Sequence, residues 1–389
     1  MPKIQMTDLK AQYETIKSEI DAAIQSVITE SSFILGKQVD LLEQEIAGYI
    51  GVKYAIGVAS GTDALVLSLA ALDIKEGDEI ITTPFTFIAT AEAISRVGAK
   101  PAFCDIDRDT YNIDADKIEA KITPKTKAII PVHLYGMPCE MDKIMAVAKK
   151  HNLKVIEDCA QSFGSAFKGR KVGSIGDCGA LSFFPAKTLG CYGDGGMVVT
   201  GEEETAKRIK MLRNHGSTAK YHYSVHGFNS RLDTLQAAIL RVKLKYIDTW
   251  IAKRIENARY YNELLQGLSP KGTVPAESGA PNHPIGLGAY FNLQGTVPEY
   301  KHAFNYYTIR IKKNRDLVQE RLGANNIACG IYYPLSLHLQ EVYQGLGYKK
   351  GDFPLSEEAQ DEVLSLPMYP ELTSGQIQAV VSVIREALA

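Results

Sequence analysis

The chain has 389 residues, 45% of them hydrophobic and 23% charged, and its 43 basic and 45 acidic side chains leave a net charge of -2. That length argues for about two domains, and the mixed charge without a basic block excludes nucleic acid and anionic membranes as expected partners. Six cysteines without C-x-x-C spacing read as reduced thiols, the N-terminus lacks an apolar signal core, and no apolar run approaches a membrane span, so the expected setting is the cytoplasm.

From about residue 50 to 200, strand-like and helix-like runs alternate. The strand candidates are "YAIGVAS", "DEIITTP", "PAFCDI", "KAIIPVHLYG", "KVIEDCA", "ALSFFP" and "GMVVT". Between the earlier ones lie "GTDALVLSLAALDI", "ATAEAISRVG" and "MDKIMAVAKKHN", with helical periodicity. Such alternation predicts a mostly parallel sheet covered by helices on both faces. The last two strands follow without an intervening helix, so the sheet is expected to be mixed at one side. Beyond residue 230, apolar positions 232, 235, 239, 242 and 246 mark one long helix or two joined ones. Residues 268–296 read as a Gly/Pro/Asn-rich loop, and a smaller α/β unit follows. The expected division is 1–250 for a large domain and 251–389 for a small one.

In open α/β sheets ligands collect beyond the carboxyl ends of strands, so the strand ends give the candidate list. The first ends in "SGTDAL", where Gly61 and Thr62 open a helix whose free amides suit a phosphate; an ordinary N-cap by Ser60 or Thr62 is the alternative. The second ends near Phe85 and Phe87, either a plate for a planar ligand or core. The fifth ends in "VIEDCAQS" with Glu157, Asp158 and Gln161. Alternation lets only one of the two acids face a ligand, and a buried Asp needs a cation such as a protonated heterocyclic nitrogen; a helix-capping acid is the alternative. Lys187, after Ser182 and before glycines 190, 193, 195 and 196, gains nucleophilicity only if it can lose its proton; a solvated loop lysine is the alternative. The glycines are expected to make tight turns and let the backbone approach a ligand. "GDGG" has neither dinucleotide nor P-loop spacing and leads into a strand. A phosphate nest, an aromatic plate, an acid and a lysine together match the needs of pyridoxal 5′-phosphate.

The motifs "SGTDAL", "EDCAQSFG", "SFFPAKTLGCYGDGG", "NSRLDTLQAAIL" and "GIYYP" resemble those of the DegT/DnrJ/EryC1/StrS sugar aminotransferases over nearly the whole chain. The resemblance implies the aspartate aminotransferase type I fold, with a seven-stranded mostly parallel mixed sheet and a smaller C-terminal α/β domain. It implies pyridoxal 5′-phosphate as cofactor, with Lys187 as Schiff-base lysine and Asp158 as partner of the ring nitrogen. Gln161 falls beside the ring hydroxyl, Gly61, Thr62 and Ser182 on the phosphate, and Phe87 on the ring face. Asn229 matches a residue that reaches the phosphate of the other subunit, which implies a homodimer with shared active sites.

The implied reaction moves an amino group from glutamate to a nucleotide-linked keto-sugar, with Lys187 as the proton shuttle. The resemblance is to the branch that aminates C3 of UDP-linked 3-keto-N-acetyl sugars, of glucosamine or glucosaminuronate type. His215, Arg231, Tyr332 and Tyr333 are its candidate substrate residues, and no metal is implied. Tyr332-Tyr333 stand where the acid-specific branch has His-Tyr, a departure that counts against a uronic acid. Tyr221 and Tyr223 are candidates for nucleotide or subunit contact. The alternatives are a dTDP-linked 3- or 4-keto-6-deoxysugar aminotransferase, a sugar dehydratase and a non-catalytic regulatory homologue. Lys187 argues against the dehydratases, which have lost that lysine.

Overall fold

The structure, a computed structural model, describes residues 3–266, 287–288 and 299–388. Seven strands form one sheet: β1 (Tyr54–Val58), β2 (Glu79–Thr82), β3 (Lys100–Phe103), β4 (Thr126–Ile129), β5 (Lys154–Asp158), β6 (Cys178–Ser182) and β7 (Gly196–Thr200). Their spatial order is β1-β7-β6-β5-β4-β2-β3. All neighbouring pairs are parallel except those of β7, which runs antiparallel to both β6 and β1. The predicted mixing is therefore confined to the strand that follows β6 without a helix. The inner strands are buried on both faces, as continuous runs such as "GMVVT" and "VIED" require.

Helices cover both faces. On one side lie α3 (Gly61–Ala71), α4 (Ala89–Arg96) and α6 (Glu203–Leu212), whose Leu65, Ile94 and Ile209 share a core with Ile56, Ile156 and Val198. On the other lie α1 (Leu9–Glu30), α2 (Lys37–Ile50), α5 (Met141–His151) and α7 (Thr234–Leu244). Helix α3 is apolar nearly all round because the sheet, α4 and α6 enclose it.

The helical run after residue 230 is two joined helices, α7 and α8 (Ile247–Gln266). Helix α8 spans two cores. Ile247, Trp250 and Ile251 pack with the sheet, whereas Ala258, Tyr261 and Leu265 pack with the C-terminal elements. Those elements are β8 (Tyr307–Ile311), α9 (Arg315–Ala324), α10 (Pro354–Glu362), β9 (Val363–Leu366) and α11 (Ser374–Leu388), with β8 and β9 antiparallel. Ile4 joins this second core and pairs with Ile327, so the chain begins against its C-terminal third. Apart from Leu287–Gly288, which pair with β8, the predicted loop over 268–296 lies outside the described residues.

Candidate active site

A cavity of about 390 Å³ lies beyond the carboxyl ends of β1, β2, β5 and β6. It is lined by Gly61, Thr62, Phe87, Asp158, Gln161, Ser182, Lys187, Tyr332 and Tyr333, nine residues singled out in the sequence.

Lys187 follows β6 in a turn in which its amide donates to the Phe184 carbonyl at 2.8 Å. Its side chain is half-buried, and burial pushes the ammonium down from 10.5 to about 8 although Asp158 pulls the other way. An amine in that range is available to attack a carbonyl at neutral pH.

The two acids of "VIED" divide as strand alternation requires. Glu157 points away from the cavity and is fully buried. Its carboxylate accepts from the amides of Gly173, Ile175 and Gly176 at 2.8, 2.7 and 2.7 Å and pairs with His133 Nε2 at 3.0 Å. His133 Nδ1 accepts the Cys139 amide at 3.0 Å, so Nε2 carries the proton given to Glu157. Every polar atom of this pair is engaged within the protein, which leaves its cluster with Cys159 a structural one. Asp158 faces the cavity. Thr90 Oγ1 donates to its Oδ2 at 2.8 Å and the Ala160 amide to its Oδ1 at 3.1 Å. Burial raises its carboxyl above the usual range, and these two donors and Lys187 only partly oppose the shift. A cation at this point would restore a fully ionised carboxylate.

Ser60 caps α3 by accepting the Asp63 amide at 3.1 Å. The amides of Gly61 and Thr62 in the first turn then have no intrahelical partner, as at every helix start. Gly61 is a glycine for a local reason: a Cβ there would lie 2.6 Å from the Ser182 Cβ. The serine therefore sits directly against the helix start, and its hydroxyl joins the two amides as a donor set for an anion.

The glycines after Lys187 act differently from the expectation of tight turns. None of Gly190, Gly193, Gly195 and Gly196 has a positive φ. Two of them let backbones cross closely instead: a Cβ on Gly196 would meet the Ser60 carbonyl at 2.2 Å, and one on Gly190 the Pro185 carbonyl at 2.3 Å, whereas Gly193 and Gly195 make room for the Gln236 and Leu232 side chains. Of the four, Gly195 lines the cavity.

Gln161 is oriented at both ends. Its Oε1 accepts the Tyr135 amide at 2.7 Å and its Nε2 donates to the Tyr333 hydroxyl at 2.9 Å. Tyr135 in turn donates through its hydroxyl to the Tyr332 carbonyl. Phe87 is 55% exposed, with its ring 6.0 Å from that of Tyr333, whereas Phe85 is fully buried core.

Three predicted residues are not among those lining this cavity. Asn229 is exposed and bridges Asn214 through the backbone. His215 is exposed at φ 61, its amide donating to the Phe228 carbonyl at 2.8 Å. Arg231 donates to Asn214 Oδ1 at 3.3 Å, and its Nε is buried without a partner. They flank a hairpin on which Tyr221 and Tyr223 are 77% and 61% exposed. Conversely, Thr86, Thr90, Phe184, Asp194 and Tyr306 line the cavity without having been picked out from the sequence. Thr90, in the first turn of α4, sits four residues past Thr86, its hydroxyl 3.1 Å away, a spacing that was the available signal. Tyr306 immediately precedes β8, where only tertiary contact gives it a role.

A lysine with a depressed pKa, a buried acid beside it and an anion-binding helix start, beyond the strand ends of a mixed α/β sheet, define an enzyme of amine–carbonyl chemistry. The chain belongs to the DegT/DnrJ/EryC1/StrS aminotransferase family, whose profile matches residues 14–385. It is 47% identical over 384 residues to a pleiotropic regulatory protein of Geobacillus stearothermophilus, covering 98% of both chains. It is 46% identical to the UDP-N-acetyl-3-dehydro-alpha-D-glucosamine 3-aminotransferase of Acidithiobacillus ferrooxidans, covering 99% of this chain and 98% of the relative. Among solved structures, S. venezuelae DesV in complex with a ketimine intermediate superposes with a TM-score of 0.91 at 39% identity, covering 99% of this chain and 98% of that one. Among the described residues, no helix is long and apolar enough to cross a membrane.

Proposed function

We propose that the chain transfers an amino group from glutamate to C3 of a UDP-linked 3-keto-N-acetyl sugar, with pyridoxal 5′-phosphate held in the cavity. The carrying observation is the convergence of Lys187, Asp158, Ser182 and the α3 start on one cavity. This donor set fits the cofactor's three demands: Gly61, Thr62 and Ser182 for the phosphate, Asp158 for the ring nitrogen, and Lys187 for the aldehyde. Asp158 faces the cavity with burial raising its carboxyl pKa and, among the described residues, only Thr90 and the Ala160 amide bonded to that carboxyl, a setting that suits a protonated ring nitrogen. The A. ferrooxidans relative supports the choice of nucleotide, sugar and carbon. Tyr332 and Tyr333 at the cavity wall favour an uncharged sugar over a uronate. The presence of Lys187 and Asp158 favours catalysis over a purely regulatory role.

When bound, pyridoxal 5′-phosphate supplies an electron sink that loosens a C–H bond next to the amino group it carries. The protein does the rest. Lys187 would hold the cofactor and, once freed by the incoming amine, would take the proton from the donor's α-carbon and deliver it on the same face to the carbon that carried the aldehyde, as base and then acid. Asp158 keeps the ring nitrogen protonated, and Phe87 covers one ring face. Gln161, fixed by Tyr135 and Tyr333, turns its Nε2 donor side towards the ring oxygen. Asn229, exposed in its own chain, reaches the site of a second copy, which makes the working unit a homodimer. The large and small domains divide at residue 250, inside α8, and the six free cysteines suit the cytoplasm.

The purified protein is expected to carry a visible absorption band that glutamate bleaches. Against a panel of UDP- and dTDP-linked keto-sugars, a UDP-linked 3-keto-N-acetylglucosamine is expected to be aminated fastest, by a species sedimenting as a dimer. A colourless protein that takes up no pyridoxal phosphate overturns the reading; preference for a uronate or a 4-keto sugar overturns the substrate, and an active monomer the role of Asn229.

The lysine's pKa gives a second expectation. Capture of the aldehyde requires the free amine, and Lys187 is protonated below about 8. The capture rate of the apoprotein should therefore rise about tenfold per pH unit below that value and level off above it. Stopped-flow absorbance across pH 6–10 checks this; a rise continuing to the ordinary lysine range would mean that Lys187 is not desolvated.

A further inference from the structure

A second lysine lies behind the first. Lys243, on α7, is 1% exposed, and its Nζ donates to the Gly190 carbonyl at 2.7 Å. The ammonium also sits 4.2 Å from the centre of the Tyr192 ring. Among the described residues it forms no ion pair: Glu371 acts on it only at longer range, and Cys191, whose thiol burial pushes up to about 11, is uncharged. Burial pushes the Lys243 ammonium itself down to about 8. A buried lysine spent on one backbone carbonyl is costly where a leucine would pack without penalty. The carbonyl it holds is three residues from Lys187.

The rest of that turn is held by the same kind of contact. The Thr188 amide donates to Asn305 Oδ1 at 3.1 Å, and the Tyr192 amide to Gln236 Oε1 at 2.8 Å. Gln236 and Lys243 are two turns apart on α7, so one helix grips the turn at two points while Asn305 grips it from the C-terminal side. Glycine at 190 leaves no Cβ to hold the carbonyl in place, because the Pro185 carbonyl lies against it.

We propose that Lys243 is a positioning residue for catalysis: its bond to the Gly190 carbonyl fixes the turn that carries Lys187, and so fixes where the catalytic amine sits. The proposal builds on the role given to Lys187 above, but the state of the turn can be read without cofactor or substrate.

The test compares wild type, Lys243→Met and Lys243→Arg. In the apoproteins, amide hydrogen exchange over residues 188–195 should quicken about tenfold in K243M while peptides of β4 and β5 stay unchanged. In the holoproteins, the rate of bleaching by saturating glutamate should fall about 10–100-fold in K243M with the half-saturating glutamate concentration within about twofold. K243R, which keeps donor and charge, should restore both. A folded K243M with wild-type exchange and bleaching overturns the proposal, as does exchange that rises equally throughout the chain. Should K243M not fold, K243R decides: wild-type exchange over 188–195 supports the clamp, and a general rise overturns it. If no variant takes up pyridoxal phosphate, the proposed function fails, while the exchange result still decides the clamp.

Discussion

Replacing Lys187 by alanine should lower turnover by about 10⁴-fold, because one side chain supplies both the covalent anchor and the proton carrier. The phosphate donors at Gly61, Thr62 and Ser182 are untouched, so K187A should still bind pyridoxal phosphate, now without the band of the lysine-linked chromophore. The fold should tolerate the change: among the described residues, Lys187 makes no hydrogen bond through its side chain, and its backbone is held by Phe184 and by the contacts to Thr188 and Gly190. Removing a desolvated amine leaves stability within about 1 kcal/mol. A small amine such as methylamine, diffusing into the space the side chain leaves, should restore part of the proton transfer. The checks are absorbance spectra, a thermal melt and the glutamate half-reaction with and without added amine. A K187A protein that turns over within tenfold of wild type would remove Lys187 from the chemistry, and with it the proposed mechanism.

Much of this was legible because the relevant signals are local. The seven strands were readable from short β-rich runs bounded by turn residues, and all seven entered the sheet. Strand ends then gave Asp158, Ser182 and Lys187, since the parallel topology gathers those ends on one side. Other parts of the site depend on contacts between residues far apart in the chain. The Gln161–Tyr333 bond spans 172 positions, and Lys243 reaches Gly190 across 53. No periodicity in either segment encodes such a meeting. The glycines of "GCYGDGG" illustrate a different loss. Composition marks a place where side chains are excluded, but not whether a positive φ or a crossing backbone excludes them, and at Gly190 and Gly196 it is the crossing. Asp158 and Glu157 lie between these cases. Alternation says that they face apart, and only the amides of 173–176 decide which one is structural.

That distinction can be tested at Asp158. Asp158→Asn preserves shape, and its carboxamide oxygen can still accept the Ala160 amide. The Thr90 hydroxyl, which donates to Oδ2 in the native protein, can rotate to accept from the new amide and turn its proton to Thr86, 3.1 Å away. Burial opposes ionisation of Asp158, so losing the charge should leave stability unchanged or slightly raised. Catalysis should respond very differently. An amide cannot hold a proton on a pyridine nitrogen, and the electron sink weakens as the ring becomes neutral. The glutamate half-reaction should slow by about 10³-fold, the scale of removing one preorganised electrostatic partner from a buried site. Cofactor should still be captured, because that step belongs to Lys187. D158N should therefore be coloured, folded and slow, whereas K187A should bind cofactor without the lysine-linked band. Titrating pyridoxal phosphate into each apoprotein and following single-turnover bleaching separates the two. A D158N protein as fast as wild type would make Asp158 a helix-capping acid and return the ring nitrogen's partner to open question; one that fails to fold while Glu157→Gln remains active would reverse the roles assigned to the two acids.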